Sequence, residues 1–449
     1  MTAKHGLTLP SDSSLMQQDF VFGVATSSFQ IEGARDGRLP CIWDTFCQKP
    51  GTIKDASNGD IACQHVELWL QDVELIKQLN VDAYRLSISW PRVIHESGEI
   101  NEEGLNFYHK VIDALNEAGI QVFVTLYHWD LPQHLEDQGG WCNRATAYAF
   151  RDYADRVSAA LGEKVHAYST LNEPFCSAYL GYELGIHAPG IQNQAAAKAA
   201  AHHLMLAHGL AMPVLRKNCP GSQHGIVVNI SPIEPYTNTQ EDIAAAETAH
   251  QYLNAWYIDP ILKGQYPDVL EKLSPEARPP VEPGDMDIIA QPIDYLGVNY
   301  YTRERAQACS GELFRLAEDK PLPLTDMGWE VYPQGLYNTL TRLNKEYLLP
   351  PLYITENGAA MKDELDNGRV RDTNRIDYFQ THLNAVDKAC RSGVNIAGYF
   401  AWSLMDNFEW AEGYLKRFGI VYVDYTTQER ILKDSAKAYS ALIASRTAG

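Results

Sequence analysis

The feature that most constrains the fold is a regular alternation of β-prone and helix-prone segments along almost the whole chain of 449 residues. Eight runs rich in β-branched and aromatic residues are predicted strands, at residues 20–26, 81–90, 121–127, 168–173, 225–230, 295–301, 352–356 and 396–403. Eight segments with apolar residues at helical spacing are predicted helices, at residues 65–79, 105–118, 145–161, 195–216, 241–258, 334–344, 375–392 and 435–445. Helices that alternate with strands are typical of a parallel sheet, and eight such units predict a closed (β/α)8 barrel.

The domain organisation follows from the same pattern. A chain of this length could hold about three average domains, yet no linker rich in Pro, Ser or Gly interrupts it. We therefore expect a single α/β domain, a TIM barrel with long βα loops over residues 1–449, in which residues 1–19 form a loose N-terminal segment. A doubly wound open sheet is the alternative, but no GxGxxG motif follows a predicted strand to support a dinucleotide site.

The composition argues against several partners. The chain has 57 acidic and 37 basic residues and a net charge of −20, which disfavours nucleic acid and anionic membranes. No apolar run is long enough for a signal peptide or a membrane span. The eight cysteines form no CxxC pair, so we expect reduced thiols and a cytoplasmic location. Because neither HExxH nor a closed set of Cys and His ligands is present, no metal or other cofactor is expected.

Two glutamates stand at the ends of predicted strands. Residues 352–355 carry no charge, Glu356 follows them, and Asn357-Gly358 then turns the chain. Glu173 ends the fourth strand in the same way, before a proline. Since the fourth and seventh strands lie across a ring of eight, the two carboxylates are predicted to face each other at the C-terminal mouth of the barrel. We expect the Glu356 carboxylate to be solvated there. Two opposed carboxylates are the equipment needed to hydrolyse a glycosidic bond.

Other polar and aromatic residues also fall at or just beyond predicted strand ends. They are Gln30, His128, Asn172, Asn299, Tyr301, Trp402, Glu409 and Trp410. The indole of Trp402 suits the C–H face of a pyranose ring and is the predicted floor of a sugar site. Arg85, on the second strand, is predicted to pair with Glu356 and to keep it ionised.

These motifs resemble the β-glucosidases of glycoside hydrolase family 1. The resemblance runs from residues 22–26 (Phe-Gly-Val-Ala-Thr) to residues 418–424 (Phe-Gly-Ile-Val-Tyr-Val-Asp). Thr-Leu-Asn-Glu-Pro at 170–174 is similar to the family's acid/base motif, which places that role on Glu173. Ile-Thr-Glu-Asn-Gly at 354–358 is similar to its nucleophile motif, which places that role on Glu356. The resemblance implies a retaining mechanism with a covalent glycosyl-enzyme intermediate and carboxyl groups roughly 5 Å apart.

The same resemblance implies roles for the surrounding residues. For the sugar it implies contacts from Gln30, His128, Trp129, Asn172, Asn299, Tyr301, Trp402, Glu409 and Trp410. Among these, Asn172 would bind the 2-hydroxyl, Tyr301 would also hold the Glu356 carboxylate, and Glu409 with Trp410 would bind the 4- and 6-hydroxyls. His187 and Trp329 resemble residues nearer the leaving group. Cys176, close to the acid/base motif, is interpreted as a buried bystander.

The expected function is a β-glucosidase that cleaves small β-linked glucosides and short oligosaccharides, such as those from cellulose degradation, with side activity on β-galactosides or β-fucosides. A 6-phospho-β-glucosidase of the same family is one alternative; Glu409 would repel a phosphate, but Lys416 and Arg417 lie nearby. A non-catalytic carbohydrate-binding barrel is the other. The expected partner is a small-molecule substrate, and the sequence leaves open whether the chain is a monomer or a homo-oligomer.

Overall fold

The computed structural model describes residues 6–446, and its centre is a closed barrel of eight parallel strands. In chain order the strands are β1 (Val21–Ala25), β2 (Ala83–Ser87), β3 (Gln121–Tyr127), β4 (Ala167–Asn172), β5 (Gln223–Asn229), β6 (Tyr295–Asn299), β7 (Leu352–Asn357) and β8 (Ile396–Trp402). Each strand pairs with its neighbours in the chain, and β1 closes the ring by pairing with β8, Gly23 lying opposite Phe400. The predicted barrel is confirmed.

A helix follows every strand and covers the outside of the barrel. The helices are α1 (His65–Gln78), α2 (Glu102–Glu117), α3 (Arg144–Leu161), α4 (Gln194–Asn218), α5 (Gln240–His250), α6 (Pro333–Glu346), α7 (Thr373–Arg391) and α8 (Asp434–Ala444). The fifth helical segment is longer than predicted, because α5 continues through a π-helical stretch, Gln251–Ala255, into a further helix, Trp256–Lys263.

The long βα loops carry short elements of their own. Single-turn or short α-helices are Ser28–Ile31, Ile42–Cys47, Trp90–Val93, Gln133–Glu136 and Asp285–Ile289, and Cys176–Glu183 is π-helical. Short 3-10 helices are Ser14–Met16, Arg35–Gly37, Gly140–Cys142, Gly162–Lys164, Asp268–Lys272, Pro275–Ala277 and Trp410–Glu412. A three-stranded sheet has Glu304–Gln307 between Ile233–Pro235 and Arg315–Leu316. Two-stranded sheets pair Leu365–Asp366 with Arg369–Val370 and Val421–Val423 with Arg430–Leu432.

The interior of the barrel is filled by side chains rather than open. Small and aromatic residues from seven of the eight strands fill it, among them Ala25, Ala83, Phe123, Ala167, Tyr295, Tyr353 and Phe400. The ring of Phe123 packs edge-on against Phe400 at 4.9 Å between centroids. A filled barrel leaves only its two ends as places for a ligand, and the polar residues lie at the C-terminal end.

A buried ion-pair network anchors the loops that follow β7 and β8. Asp363 accepts from Arg375 at 2.8 Å and from Lys433 at 2.5 Å. Lys433 also donates to Asp406 at 2.7 Å. All four side chains are at most 1% exposed. The network therefore holds the loop of residues 403–419 against α7 and the start of α8, and this loop carries Glu409.

The N-terminal segment predicted to be loose is partly held in place. Ser13 donates to Asp387 of α7 at 2.5 Å, and Leu15 is fully buried. Residues 1–5 lie outside the described part of the chain. Within residues 6–446, no helix has the length and apolar character needed to cross a membrane.

Candidate active site

The C-terminal ends of the strands surround a cavity of about 640 Å³. Nine of the residues predicted to bind the sugar or to react with it line this cavity, namely His128, Trp129, Glu173, Asn299, Tyr301, Glu356, Trp402, Glu409 and Trp410. Asn172, Arg85 and Gln30 lie directly behind this lining and are at most 1% exposed.

Glu356 lies within β7 and is held by two donors. Its Oε1 accepts from Nη1 of Arg85 at 2.6 Å, and its Oε2 accepts from the hydroxyl of Tyr301 at 2.6 Å. The residue is only 3% exposed. The expectation that this carboxylate would be solvated is therefore wrong, because the neighbouring strands supply a guanidinium and a phenol in place of water.

Glu173 directly follows β4 and is held differently. Its Oε1 accepts from Nδ2 of Asn299 at 2.6 Å, and its Oε2 lies 3.0 Å from Sγ of Cys176. No cation contacts this carboxyl within hydrogen-bonding distance among the described residues. Cys176, interpreted from the sequence as a bystander, contacts the very carboxyl group that the motif singles out.

These surroundings separate the titration of the two carboxyls. Burial and the charge of Glu356 raise the pKa of Glu173 to about 8. Burial also raises the pKa of Glu356, but the charge of Arg85 and the hydrogen bond from Tyr301 oppose that rise. The two groups titrate as a pair, and the cation favours ionisation of Glu356 first. One ionised and one protonated carboxyl is the combination that acid-assisted displacement needs.

A network of amides connects the two carboxyls. Oδ1 of Asn172 accepts from Arg85 at 2.8 Å and from Asn299 at 3.0 Å. Its Nδ2 lies 3.1 Å from Nε2 of His128, and its backbone carbonyl accepts from Nε1 of Trp129 at 2.9 Å. These hydrogen bonds position the side chains before any ligand binds, although Nδ1 of His128 and Nε of Arg85 are buried without a partner.

Aromatic rings form one wall of the cavity. The imidazole of His128 is nearly parallel to the indoles of Trp402 and Trp410, at centroid distances of 5.9 and 6.0 Å. Burial and the charge of Arg85 hold the pKa of His128 well below its usual range, so the ring is neutral. Trp410 also lies 4.6 Å from Trp129. A wall of flat rings is well suited to the C–H face of a sugar.

Glu409 is a third carboxyl in the same cavity. Burial, followed by the charge of Glu356, raises its pKa to about 8. Gln30 lies behind it, with Nε2 at 3.4 Å from Glu409 and at 2.9 Å from both Asn407 and the carbonyl of Phe408. The Gln30 amide is therefore engaged in holding the loop that carries Glu409.

The two basic residues near Glu409 are already paired. Lys416 donates to the carbonyl of Asp326 at 2.5 Å and lies 3.2 Å from its carboxylate. Arg417 donates to Asp406 at 2.6 Å. Neither side chain lines the cavity.

Three residues of the cavity wall have left-handed backbone conformations. The φ angles are +77° for Trp129 and +47° for both Glu173 and Trp410. Such angles are unfavourable for bulky side chains and persist only where the surroundings enforce them. Their concentration around one cavity is typical of a functional site.

The outer half of the cavity is mostly apolar. The side chains there include Phe175, Tyr179, Leu180, Leu184, Ile186, Ile233, Leu253 and Leu316. Sequence reasoning named none of these residues, which have no distinguishing spacing. It also missed Asn229 at the end of β5, whose buried Oδ1 has no partner. The position of Asn229 at a strand end is the signal that could have identified it.

His187 and Trp329, which resemble residues near the leaving group in the family, also line the cavity. Burial lowers the pKa of His187 to about 4, so its ring is neutral, and its Nδ1 has no partner. Trp329 packs against Tyr301 at 5.5 Å between centroids. Among the described residues, no group of three or more His, Cys, Asp or Glu side chains is arranged to hold a metal ion.

Comparison with known proteins identifies the family. A family model described as glycosyl hydrolase family 1 matches residues 12–448. The chain belongs to this family. It is a glycoside hydrolase, and the family predicted from the two glutamate motifs is confirmed.

Relatives agree with this membership over nearly their whole length. The chain is 47% identical over 432 residues to a β-glucosidase of Agrobacterium sp., with 94% of each chain covered. It is 43% identical over 465 residues to a bifunctional β-D-glucosidase/β-D-fucosidase of Bifidobacterium breve, covering 97% of this chain and 99% of the relative. A Thermotoga maritima family 1 glycoside hydrolase, solved with a cyclophellitol-analogue transition-state mimic, is 44% identical and superposes with a TM-score of 0.93 over 96% of this chain and 99% of its own.

Proposed function

We propose that this protein is a retaining β-glucosidase in which Glu356 is the nucleophile and Glu173 is the acid/base. The proposal is based on the different surroundings of the two carboxyls. Arg85 and Tyr301 favour the ionised form of Glu356. Glu173 contacts the neutral Asn299 and Cys176 instead, and its pKa is raised to about 8. The names of the relatives support the substrate class.

The proposed reaction has two displacements. In the first, Glu356 attacks the anomeric carbon while Glu173 donates its proton to the glycosidic oxygen, so that the bond to the aglycone breaks and a glycosyl ester forms. In the second, Glu173 removes a proton from water, which attacks the same carbon and breaks the ester. Two inversions release glucose with its β-configuration retained.

The glucose ring is proposed to lie against Trp402 with its 4- and 6-hydroxyls directed to Glu409 and Trp410. The free 4- and 6-hydroxyls can donate hydrogen bonds to the carboxyl oxygens of Glu409, whereas an ionised phosphate has only acceptor oxygens. Lys416 and Arg417 are committed to Asp326 and Asp406. Lys54, which does line the cavity, is paired with Glu412 at 2.6 Å. These three cations are therefore already paired with carboxylates rather than free for a 6-phosphate. This favours free glucosides over the 6-phospho alternative.

The outer apolar half of the cavity is proposed to hold the aglycone, either an aryl group or the second ring of a short oligosaccharide from cellulose. Side activity on β-fucosides or β-galactosides is proposed as well, since a relative is named for both glucosidase and fucosidase activity. The eight free cysteines support the proposed cytoplasmic location.

A hydrolysis panel tests this assignment. The substrates are the 4-nitrophenyl β-glucoside, β-galactoside, β-fucoside and β-glucoside 6-phosphate, together with cellobiose. We expect kcat/KM to be at least about a hundredfold higher for the free glucoside than for its 6-phosphate, and Glu409→Ser to narrow that gap. Equal cleavage of both would favour the phospho-glucosidase. A folded protein that binds glucosides but cleaves none would be a carbohydrate-binding barrel.

A further inference from the structure

The side chain of Cys176 occupies a specific place beside Glu173. The chain turns at Glu173 and enters the π-helical segment Cys176–Glu183, whose first N–H bonds to the Glu173 carbonyl at 2.9 Å. This turn directs the thiol back onto the carboxyl, with Sγ 3.0 Å from Oε2. Cys176 is 7% exposed and lines the cavity. Both oxygens of Glu173 therefore have a partner, Asn299 on one and Cys176 on the other.

The two partners of Glu173 differ in what they can do. Nδ2 of Asn299 can only donate, so Oε1 of Glu173 is always an acceptor. The proton of the acid form must consequently lie on Oε2, the oxygen beside the thiol. A thiol is both a weak donor and a weak acceptor. It can donate to the ionised carboxylate and accept from the protonated one without moving.

We propose that Cys176 is a positioning residue of the double displacement, whose thiol holds Oε2 of Glu173 in both of its protonation states. The inference rests on the proposed acid/base role of Glu173. A weak partner suits this position, since the proton on Oε2 has to leave for the glycosidic oxygen in the first displacement and return from water in the second. A stronger hydrogen bond would favour one state over the other.

The thiol itself does not react in this scheme. Burial and the neighbouring charge of Glu173 raise the pKa of Cys176 well above its usual range, so it remains a thiol. Other groups that act on Glu173 are unchanged by substitution at position 176. They are the charged or titratable side chains of Arg85, Tyr301, Glu356 and Glu409.

The test compares Cys176→Ala and Cys176→Ser with wild type, using the pH dependence of kcat/KM for 4-nitrophenyl β-glucoside. The alkaline limb reports the acid form of the free enzyme. The alanine variant loses a donor to the carboxylate, so its limb should move to higher pH by about half a unit to one unit. The serine variant has a stronger donor to the same anion, so its limb should move to lower pH. Opposite shifts are expected only if the side chain at position 176 acts on Glu173.

Cys219→Ala is the matched control, because Cys219 is a buried cysteine away from the cavity lining, and its thiol donates to the backbone carbonyl of Ser158 at 3.3 Å. Its profile should coincide with wild type. If both Cys176 variants keep the wild-type limb, whether or not kcat falls, the inference is overturned. If the alanine variant fails to fold, the serine variant decides alone, and a limb at the wild-type position overturns the inference.

A Glu173→Ala variant separates this inference from the proposed function. Loss of the alkaline limb in that variant is expected. If the alkaline limb persists in Glu173→Ala, the acid/base assignment is wrong, and the inference about Cys176 is rejected with it. If it is lost while the Cys176 variants keep the wild-type limb, the assignment stands and only the role of Cys176 is rejected.

Discussion

At the scale of single residues, the two carboxyls of the site differ in the charge of their partners. Glu356 contacts a guanidinium and a phenol, whereas Glu173 contacts a neutral amide and a thiol. Both are almost completely buried, so water does not screen the difference between their electrostatic environments. The same residue type is thereby prepared for two roles, nucleophile and acid, by the side chains that neighbouring strands bring to it.

Glu356→Gly should abolish hydrolysis. Azide can enter the space left by the carboxylate, and it should restore turnover of an activated aryl glucoside with formation of the α-glucosyl azide, which NMR identifies. A β-configured azide, or no azide product from a variant that still binds sugar, would contradict the nucleophile assignment.

The same variant should also be less stable than wild type. It leaves Arg85 buried without its counter-ion, and breaking a buried pair in this way typically costs on the order of 3–5 kcal/mol. Two bonds of Arg85 persist, to Asn172 and to the Thr355 carbonyl, so we expect the lower end of that range. Urea unfolding of the two proteins measures the difference.

Glu173→Ala should show a strong dependence on the leaving group. General acid catalysis contributes roughly 10²–10⁴-fold where the leaving oxygen needs a proton. Cellobiose turnover should fall by about that factor, while the release of dinitrophenol from its glucoside, measured in the pre-steady state, should be largely retained. Equal losses on the two substrates would refute the acid/base assignment.

At the scale of elements, the ends of β7 and β8 are fitted to each other. Asn357 donates to the carbonyl of Tyr300 at 2.7 Å and accepts from Tyr399 at 2.6 Å, which ties β7 to both adjacent strands. Gly358 then passes so close to β8 that an added Cβ would lie 1.8 Å from the carbonyl oxygen of Trp402. The asparagine and glycine of the motif therefore position Glu356 and Trp402 relative to each other.

Gly358→Ala should consequently impair both activity and stability. The backbone must shift to admit the methyl group, and overpacking of this kind costs about 1–3 kcal/mol. A displacement near 1 Å at the reacting groups can reduce the rate by about a hundredfold. Gly6→Ala is the control, because its Cβ would meet nothing within 4 Å. Wild-type kcat/KM and Tm in the Gly358 variant would show that the contact is dispensable.

At the scale of the whole molecule, the site makes the folded state bind protons that the unfolded chain releases. Burial raises the pKa of Glu173 and Glu409 to about 8 and that of Asp130 to about 7. In the unfolded chain these groups ionise near pH 4. Between about pH 5 and pH 8 these three groups therefore hold more protons in the folded state, and their contribution to stability falls as the pH rises.

Other carboxyls act on the acid side. Salt bridges and hydrogen bonds lower the pKa of Asp44, Asp72 and Asp363. The stability that these groups contribute is present above their unfolded pKa and is lost as the pH falls through the folded value. Burial also lowers the pKa of His128, His187 and His208, so further stability is lost as the pH falls below the unfolded histidine pKa of about 6.5. The opposing effects predict a maximum of stability near neutral pH.

Thermal unfolding between pH 5 and pH 8 tests this prediction. Tm of the wild type should be highest near neutral pH and should decrease from about pH 7 to pH 8. Glu409→Gln removes one group that must lose a proton inside the cavity, so it should raise Tm at pH 8 more than at pH 5. Parallel curves for the two proteins would show that Glu409 ionises as readily in the folded as in the unfolded state.

The sequence by itself determined the architecture and the location of the site. The alternation of strand-like and helix-like hydrophobic patterns is visible in short stretches of the sequence. It predicted all eight barrel strands and the helices between them. The mouth of the barrel could be identified for the same reason, since a charged residue that ends an apolar run is visible without any tertiary contact. The resemblance of residues 170–174 and 354–358 to family motifs then indicated the glycosidase family, which the comparisons confirmed.

Only the tertiary structure decided how the groups of the site are partnered. It showed that Glu356 is buried against Arg85 rather than solvated. It also showed that Lys416 and Arg417 are committed to other carboxylates, and that Cys176 contacts Glu173. These facts depend on distances of a few ångströms between side chains on different strands and loops. The periodicity of a chain fixes which face of an element is buried, but the packing of the elements determines which atoms meet there and hence the charge that each one carries.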